Sequence, residues 1–396
     1  MTAPRIGIVA DDLTGAADTG VAFLADGASV LVRWPDRAGR RDWLSLEAQV
    51  LAVDTRGRAS DAESACGMTR EVVSVFRDSG VGTLYKKIDS MLRGHVGGEV
   101  RAALDCWHPG SIAIVAPAFP AAGRTTVKGH QCLNGVPLAG RESVLAILEQ
   151  AGIRTRHADL DCVRSAALEA MLPDATAVVC DAENEEDLAA IARAGAGSAS
   201  PIVWVGSGGL AHAIASTDRT AGSAPGPPQV KLAGPLLFVV GSTAETAREQ
   251  AQHLAAAGVR HVAVPVASLA GGMSTARADF GPEIRNHFRA GEDVLVTVRS
   301  DGETRVEDPA LMARLGELLR TCATSAGGLV LTGGDTAVGV LQAWGTIAIR
   351  LVDEMAPGIV FATAVGPLSI PVVTKAGSFG DRATLTRVRD RLHGRG

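Results

Sequence analysis

The alternation of short apolar runs with longer helical patterns is the feature of this sequence that most restricts its fold. The runs are rich in β-branched residues, which favour strands. In the first half of the chain they cover residues 6–10, 29–34, 49–53, 83–88, 112–116, 175–180 and 202–205. Helical patterns fill several of the gaps, for example at 60–78 and 183–193. Because continuous apolar strands are typical of parallel sheets covered on both faces, the sequence predicts an α/β fold.

A segment rich in glycine, proline and serine interrupts this pattern between residues 217 and 234. After it the alternation resumes, with predicted strands at 236–240, 261–266, 294–298, 329–331, 349–352 and 372–374. The length of 396 residues also favours two domains. We therefore expect a first domain at 1–216, a linker at 217–235 and a second domain at 236–396. Each domain is expected to hold a mostly parallel sheet flanked by helices.

Composition excludes several classes of protein. The net charge is −5, and lysine and arginine are scattered along the chain without a basic block, so no nucleic-acid partner is expected. The six cysteines show no CxxC spacing, which argues against a zinc site or a disulfide scaffold. No apolar run reaches the roughly 20 residues of a membrane span. With a predicted strand almost at the N-terminus, we expect a cytoplasmic protein without a secretory segment.

The first candidate site is the stretch IGIVADDLTGAADTG, in which a strand ends on Asp11 and Asp12. A strand–glycine–helix turn often cradles an anion on backbone N–H groups, but two carboxylates would repel one. A P-loop is excluded because Val21 and Ala22 stand where lysine and a hydroxyl residue are required. At least one aspartate is therefore interpreted as a general base or an acceptor for substrate hydroxyls. The alternative is that both are turn and cap residues.

Two further clusters follow predicted strands in the first half. KKIDSMLRGH is interpreted as an anion-recognition loop, in which Arg93 and a lysine supply positive charge and Asp89 binds a hydroxyl; the alternative is a solvated surface turn. The segment APAFPAAGRTTVKG is either another substrate loop, with Arg124 as its cation, or a rigid connection.

The second half repeats one predicted design three times: a strand, a glycine–hydroxyl turn and then a helix. The three turns lie at 241–243, 332–336 and 375–380. Together they indicate a nucleotide site built from backbone N–H groups and helix N-termini. Asp335 lies at a helix start, where it could hold magnesium through water or simply favour the helix dipole.

Six motifs in this order resemble the four-carbon acid sugar kinase family: ADDLTGAADTG, KKIDSMLRG, APAFPAAGRTTVKG, VGSTAETAREQ, TGGDTAVGVL and VVTKAGSFG. This family includes kinases for threonate, erythronate and 3-oxo-tetronate, and the resemblance spans nearly the whole chain. It implies a two-domain ATP-dependent kinase that phosphorylates the terminal hydroxyl of a short sugar acid with Mg²⁺ present. The active site would lie in the interdomain cleft, and the two domains would close on each other.

The resemblance and the motifs together assign roles to individual residues. The substrate-binding residues would be Asp11, Asp12, Lys87, Asp89, Ser90, Arg93 and Arg124. Of these, Lys87 and Arg93 would hold the carboxylate or the transferring phosphoryl group, and Asp12 or Asp89 would be the base, with Asp12 preferred; Asp11 stays an alternative. The ATP contacts would be Ser242, Gly333, Gly334, Asp335, Thr336 and Gly377.

The sequence departs from the family pattern at four places, which bear more on the identity of the substrate than on the kinase chemistry. One is the absence of the longer loop expected after NGVPLAG, where a predicted helix follows directly. Met91 and His95 replace a threonine and an asparagine, and GGDT replaces GGET at Asp335. The identity of the acid, the metal ligands and the oligomeric state, with a homo-oligomer as one option, stay open. Two rival functions also stay open: another α/β enzyme acting on the same acids, and a non-catalytic binding protein for them.

Overall fold

The computed structural model describes residues 3–36, 42–165, 167–217, 231–270, 273–299 and 308–395. The chain divides into two compact units, with the division near residue 224. Most of the predicted linker, residues 218–230, lies outside the described residues, and the predicted domain boundaries stay a prediction. In the described part of the chain, no helix is both long enough and apolar enough to cross a membrane.

The first unit is built on a parallel sheet with the strand order β2-β3-β1-β4-β11-β5-β10-β9. A separate antiparallel group contains β6, β7 and β8. The strands are β1 Ile6–Ala10, β2 Val30–Arg33, β3 Val50–Asp54, β4 Thr83–Lys87, β5 Ile112–Ala116, β6 Arg124–Val127, β7 His130–Leu133, β8 Val136–Pro137, β9 Thr155–Ala158, β10 Ala177–Cys180 and β11 Ile202–Gly206.

The helices of the first unit begin mostly at residues that favour helix starts. Asp12, Asp61, Ser143, Asp159 and Asn184 each accept a backbone N–H of the first turn. The helices are α1 Leu13–Gly20, α2 Ala62–Asp78, α3 Val96–Cys106, α4 Val144–Gln150, α5 Leu160–Val163, α6 Ala167–Met171, α7 Glu185–Ala196 and α8 Gly208–Thr217. They pack in two groups, α2 with α3 and α4, and α1 with α8 and α7. The central strands are buried along their length and require a cover on both faces, which these groups provide.

The second unit has the strand order β13-β14-β12-β15-β18-β17-β16. Its strands are β12 Leu236–Val240, β13 Arg260–Pro265, β14 Val294–Arg299, β15 Gly328–Thr332, β16 Ala348–Ala356, β17 Ile359–Val365 and β18 Pro371–Lys375. From β13 to β18 the neighbours are parallel, whereas β17 is antiparallel to both β18 and β16. The predicted α/β class with mostly parallel sheets is therefore confirmed.

Two helices of the second unit pack backbone against backbone. The unit's helices are α9 Glu245–Ala256, α10 Val266–Ala270, α11 Met273–Arg289, α12 Pro309–Leu319, α13 Gly334–Ala343 and α14 Thr384–Leu392. A Cβ atom on Gly339 of α13 would lie 2.6 Å from the carbonyl oxygen of Met312 on α12, and Gly316 of α12 faces the backbone of Gly339 in turn. The direction of α13, which begins just after one of the predicted nucleotide turns, therefore depends on glycine at this crossing.

We predict that Gly339→Ala lowers the free energy of unfolding by about 1–3 kcal/mol, because the added methyl group meets backbone that cannot move alone. Chemical denaturation followed by circular dichroism measures this change. The matched control is Gly67→Ala, at an exposed position of α2 where a Cβ would meet nothing within 4 Å. There the better helix propensity of alanine should raise the stability by roughly 0.5–1 kcal/mol. Equal effects of the two substitutions would contradict the close crossing of α12 and α13.

Candidate functional site

Three neighbouring strands of the first unit end in loops that carry charged side chains. Asp11 and Asp12 directly follow β1, Arg58 comes shortly after β3, and Asp89 follows β4. The three strands are adjacent and parallel, so their carboxyl ends lie at the same edge of the sheet. The strand order changes direction at β1, which is where ligands bind in open α/β sheets.

The guanidinium of Arg58 joins the three carboxylates. Its Nε and Nη2 donate to the two carboxylate oxygens of Asp11, at 2.8 and 2.7 Å. Its Nη1 donates to Oδ2 of Asp12 at 2.8 Å, and its Nη2 lies 3.6 Å from Oδ1 of Asp89. Burial alone would lower the pKa of Arg58, but the three aspartates raise it well above its ordinary value. The loops after β1, β3 and β4 are thus connected through one cation.

Asp12 has two hydrogen-bond partners besides Arg58, and it is the more accessible of the two adjacent aspartates. Its Oδ1 accepts the backbone N–H of Gly15 as the N-cap of α1, and its Oδ2 accepts the hydroxyl of Thr14. The side chain of Asp12 is 15% exposed, against 2% for Asp11. Burial raises the pKa of Asp12, but Arg58 and Lys87 outweigh this effect and hold it below its ordinary value. Asp12 is therefore a helix cap and also part of the charged group around Arg58, while its role as a base or as an acceptor for substrate hydroxyls stays a prediction.

Asp89 organises the loop that carries Arg93. Nε and Nη2 of Arg93 donate to the two carboxylate oxygens of Asp89 at 2.7 and 2.9 Å, and the backbone N–H of Arg93 donates to the same group at 3.1 Å. Burial raises the pKa of Asp89, but Arg58 and Arg93 hold it far below its ordinary value. Leu92 is forced into the left-handed region at φ 56°, a conformation that costs a non-glycine residue energy. Arg93 remains 47% exposed, and its Nη1 takes no part in the hydrogen bonds to Asp89.

Lys87 lies beside Asp12 above the first turn of α1. Its side chain is buried, and its charge lowers the pKa of both Asp12 and Asp89. A Cβ atom on Gly15 would lie 2.9 Å from Nζ of Lys87 and 2.6 Å from Oδ1 of Asp12. Glycine in the motif ADDLTG therefore makes room for an ammonium group, where a P-loop glycine makes room for a phosphate.

The structure brings Ser90 and Arg124 to the same edge of the sheet. Ser90 is buried directly after Asp89. Arg124, the first residue of β6, is buried as well; burial lowers its pKa, and the charge of Asp89 acts in the opposite direction. All the substrate-binding residues predicted from the sequence therefore belong to one charged group. Their roles stay predictions.

Lys86, by contrast, belongs to the core beneath this group. Its side chain is fully buried, and its Nζ lies 3.6 Å from Oε1 of Glu99 on α3 and donates to the carbonyl oxygen of Lys87 at 2.8 Å. Burial raises the pKa of Glu99, which Lys86 only partly offsets. The pair thus connects the end of β4 to α3 in the core.

Arg58 is not among the site residues predicted from the sequence. Its sequence context was a possible indication, since the polar motif DTRGR follows a predicted strand. The role of Arg58, however, depends on β3 lying next to β1 in the sheet. His95, the departure from the family pattern, lies near the same loop: its Nε2 is 2.8 Å from the carbonyl oxygen of Ser60. The segment that carries Arg58 is thereby fastened to the loop that carries Arg93.

The three glycine turns of the second unit meet at the carboxyl ends of β12, β15 and β18, which are adjacent parallel strands. A Cβ atom on Gly377 would overlap Oγ of Ser242, and a Cβ on Gly333 would lie 3.4 Å from Cβ of Ser242. Gly333 has φ 102°, which favours glycine, and its N–H donates to the carbonyl oxygen of Lys375 at 2.8 Å. The side chains of Ser242 and the turns around Gly333 and Gly377 are thus in direct contact.

Helix α13 starts from this contact. Gly333 is its N-cap, Gly334 and Asp335 open its first turn, and Thr336 is buried against Met312. A helix N-terminus beside glycine turns presents backbone N–H groups to an anion, which fits a polyphosphate. No group of three or more His, Cys, Asp or Glu side chains that could hold a metal ion occurs among the residues that the structure describes. The predicted nucleotide contacts are therefore grouped in space, although their role stays a prediction.

Comparisons with known proteins agree with this division of the chain. A family model described as a sugar-binding N-terminal domain matches residues 6–214, and one described as a nucleotide-binding C-terminal domain matches residues 237–385. A D-threonate kinase from Cupriavidus necator is 37% identical over 96% of this chain and 95% of its own length. A D-threonate kinase from Bordetella bronchiseptica is 37% identical over 100% of this chain and 99% of its own length.

A solved structure with the same fold also exists. The crystal structure of the Haemophilus influenzae protein HI1011, of the DUF1537 family model, aligns with a TM-score of 0.72. The alignment covers 98% of this chain and 100% of that chain, at 17% sequence identity. At this identity the likeness concerns the fold alone.

The network around Arg58 leads to a prediction about stability and pH. Arg58→Met keeps most of the side-chain volume but leaves buried carboxylates without their shared cation, which should lower the free energy of unfolding at pH 7 by about 3–5 kcal/mol. In the wild type, the lowered pKa of Asp12 and Asp89 contributes stability above pH about 4 that is lost only as the pH falls through their folded-state values.

In the variant, burial and mutual repulsion favour the protonated form of the carboxyl groups. Lowering the pH should therefore reduce the destabilisation that the substitution causes. The difference in unfolding free energy between the two proteins should therefore narrow as the pH is lowered from 7 to 4, as measured by denaturant titrations at each pH. Arg70→Met, at an exposed position of α2, is the matched control and should change little. A difference that stays constant with pH would contradict the coupling of Arg58 to the aspartates.

Proposed function

The chain belongs to the four-carbon acid sugar kinase family, and from this premise we propose that it transfers the γ-phosphoryl group of ATP to the terminal hydroxyl of D-threonate. The relatives named D-threonate kinase match at 37% identity over nearly the full length of both chains, which supports this choice of acid. The domain descriptions assign sugar binding to the first unit and nucleotide binding to the second.

The observation that carries the proposal is the contact among the turns after β12, β15 and β18. The three turns approach each other so closely that there is no room for a side chain at Gly333 or Gly377. Gly333 is also the N-cap of α13, so a helix N-terminus lies at the same place. Triphosphate recognition needs backbone N–H groups that can approach oxygen closely, which is what glycine permits. A binding protein for sugar acids alone would have no need for such a site.

The first unit supplies the chemistry that a polyhydroxy acid requires. Arg93 is partly exposed and keeps N–H donors beyond those bound to Asp89, so it is suited to the substrate carboxylate or to the transferring phosphoryl group. Lys87 adds a point charge beside Asp12. The carboxylates of Asp12 and Asp89 stay ionised at neutral pH and can accept hydrogen bonds from substrate hydroxyls.

The lowered pKa values affect the choice of base. Transfer forms a bond from the hydroxyl oxygen to the γ-phosphorus, breaks the bond to the bridging β–γ oxygen, and releases the hydroxyl proton. Asp12 keeps its place as candidate base because it is more accessible than Asp11, although its low pKa makes it a weak one. Phosphoryl transfer depends mainly on positioning and charge stabilisation, so a weak base is sufficient.

Magnesium fits the second unit as an ion held mainly by the nucleotide. Mg²⁺ in kinases is typically held by one or two carboxylates together with substrate phosphates, and the carboxylate of Asp335 and the hydroxyl of Ser242 are oxygen donors of this kind. When bound, the ion would neutralise charge on the phosphates. The placement of the active site between the two domains stays a prediction.

The test is an ADP-release assay with ATP and Mg²⁺ over D-threonate, L-threonate, D-erythronate, L-erythronate and 3-oxo-tetronate. We expect turnover of D-threonate at roughly 1–100 s⁻¹, a range typical of kinases. The value of kcat/KM for D-threonate should exceed that for each other acid by about 10-fold or more, which corresponds to about 1.4 kcal/mol of discrimination. Phosphorus NMR should show the product phosphate on the terminal CH₂ group, as coupling to two protons.

Arg93→Gln serves as the matched variant in this assay and should raise KM for D-threonate by about 10-fold or more while KM for ATP stays within about 2-fold of wild type. Arg101→Gln, a half-exposed arginine on α3, should leave both constants unchanged. The proposal is wrong if the folded protein binds ATP but releases no ADP with any of these acids. A different preferred acid would overturn the choice of D-threonate and keep the kinase assignment.

A further inference from the structure

Lys375, the last residue of β18, is a fully buried lysine with an unusual set of partners. Its Nζ donates to the carbonyl oxygens of Ala376 at 2.7 Å, Phe379 at 3.0 Å and Gly377 at 3.3 Å. An ammonium group has three N–H donors and no acceptor, so these three carbonyl oxygens engage all of its donors. The loop of residues 376–380 is folded around one cation.

This cation has no carboxylate partner among the residues that the structure describes. Burial lowers the pKa of Lys375 to about 7, which means that the buried charge is costly by itself. The carbonyl dipoles oppose this effect of burial, because they stabilise only the protonated form. Burying an ammonium group at the end of a strand is energetically unfavourable, and packing alone does not account for a lysine at this position.

The 376–380 loop is part of the nucleotide contact in the second unit. Gly377 touches Ser242 directly, and the carbonyl oxygen of Lys375 accepts the N–H of Gly333. The loop is also fastened from outside by Gln250, whose Nε2 donates to the carbonyl oxygens of Phe379 and Asp381 at 3.0 and 2.8 Å. Carbonyl oxygens repel phosphate oxygens, and here three of them point at the ammonium instead.

We propose that Lys375 is a positioning residue for nucleotide binding: it acts as an internal cation that turns the carbonyl groups of the 376–380 loop away from the phosphates and holds Gly377 against Ser242. The inference rests on the proposed kinase function and adds a residue that acts through the loop. A lysine that binds phosphate directly, as in a P-loop, keeps its ammonium group accessible to the ligand. Lys375 is fully buried, and its three donors are already engaged.

The first test measures nucleotide binding by calorimetry with the full chain and a non-hydrolysable ATP analogue. Lys375→Met keeps the volume but removes the charge, and we expect it to weaken binding of the analogue by about 10- to 100-fold while KM for D-threonate stays within about 2-fold. Lys231→Met, an exposed lysine of the same unit, is the matched control and should bind as the wild type does. Wild-type affinity in Lys375→Met would overturn the proposal.

The second test separates an internal cation from a structural role without charge. In Lys375→Ala the missing atoms correspond to n-propylammonium, so millimolar n-propylammonium should restore part of the affinity for the analogue. Neutral n-propanol should not restore it. Restoration by both compounds, or by neither in a folded variant, would contradict the role of the charge.

A third measurement uses only the wild type, in case both variants fail to fold. Acetylation of lysines, read by mass spectrometry, should leave Lys375 unmodified with and without nucleotide. A lysine that binds phosphate directly would be acetylated in the free protein and protected by nucleotide, and this result would overturn the proposal. Failure of the wild type to bind any nucleotide would instead refute the proposed function, so the two failures are distinguishable.

Discussion

The interaction on which the first unit's site depends is the sharing of the Arg58 guanidinium by three carboxylates from two other loops. Asp11, Asp12 and Asp89 come from two strand ends, and Arg58 comes from a third. Buried ionised carboxylates at this spacing repel each other, and the cation between them offsets this repulsion. The same charges lower the pKa of Asp12 and Asp89 and hold these two carboxylates in the ionised form. They can therefore accept hydrogen bonds from a ligand, but they take up protons only weakly.

The two units handle negative charge by different means, and each suits a different ligand. In the first unit, Arg58, Lys87 and Arg93 balance the aspartates, so the group offers both donors and acceptors, as a small acid with several hydroxyls requires. In the second unit, the backbone itself is suited to a negatively charged ligand. Gly333 and Gly377 leave space for it, and the N-terminus of α13 supplies N–H groups. The motif ADDLTG resembles a phosphate loop in outline only, because Gly15 there accommodates the ammonium group of Lys87.

The sequence predicted best those features that depend on local pattern. Strands β1, β5 and β12 match the expected ranges because each is apolar along its whole length and buried on both faces. Strand β9 was not predicted, since Thr155–Ala158 mixes polar and apolar residues at the edge of the sheet, and β17 was missed because it breaks the alternation of strands and helices. The class of the fold was predictable because it requires only the order of the elements.

The site was predictable only as far as chain order allowed. Asp12, Asp89 and Arg93 could be selected because each follows a strand within a short polar motif. Arg58 could not, because its role depends on which strands are neighbours in the sheet, and a single sequence does not reveal strand order. The same holds for Lys375, whose three carbonyl partners are determined by the path of the following loop.

The central claim is that the acid and the nucleotide bind to different units of the chain. Hydrogen–deuterium exchange of the full chain with each ligand alone tests it most directly. D-Threonate should slow exchange in the segments at 11–20, 57–60 and 87–95, and the non-hydrolysable ATP analogue should slow it at 241–244, 333–337 and 375–380. Protection by D-threonate of the second set and not the first, or by the analogue of the first set and not the second, would contradict the account.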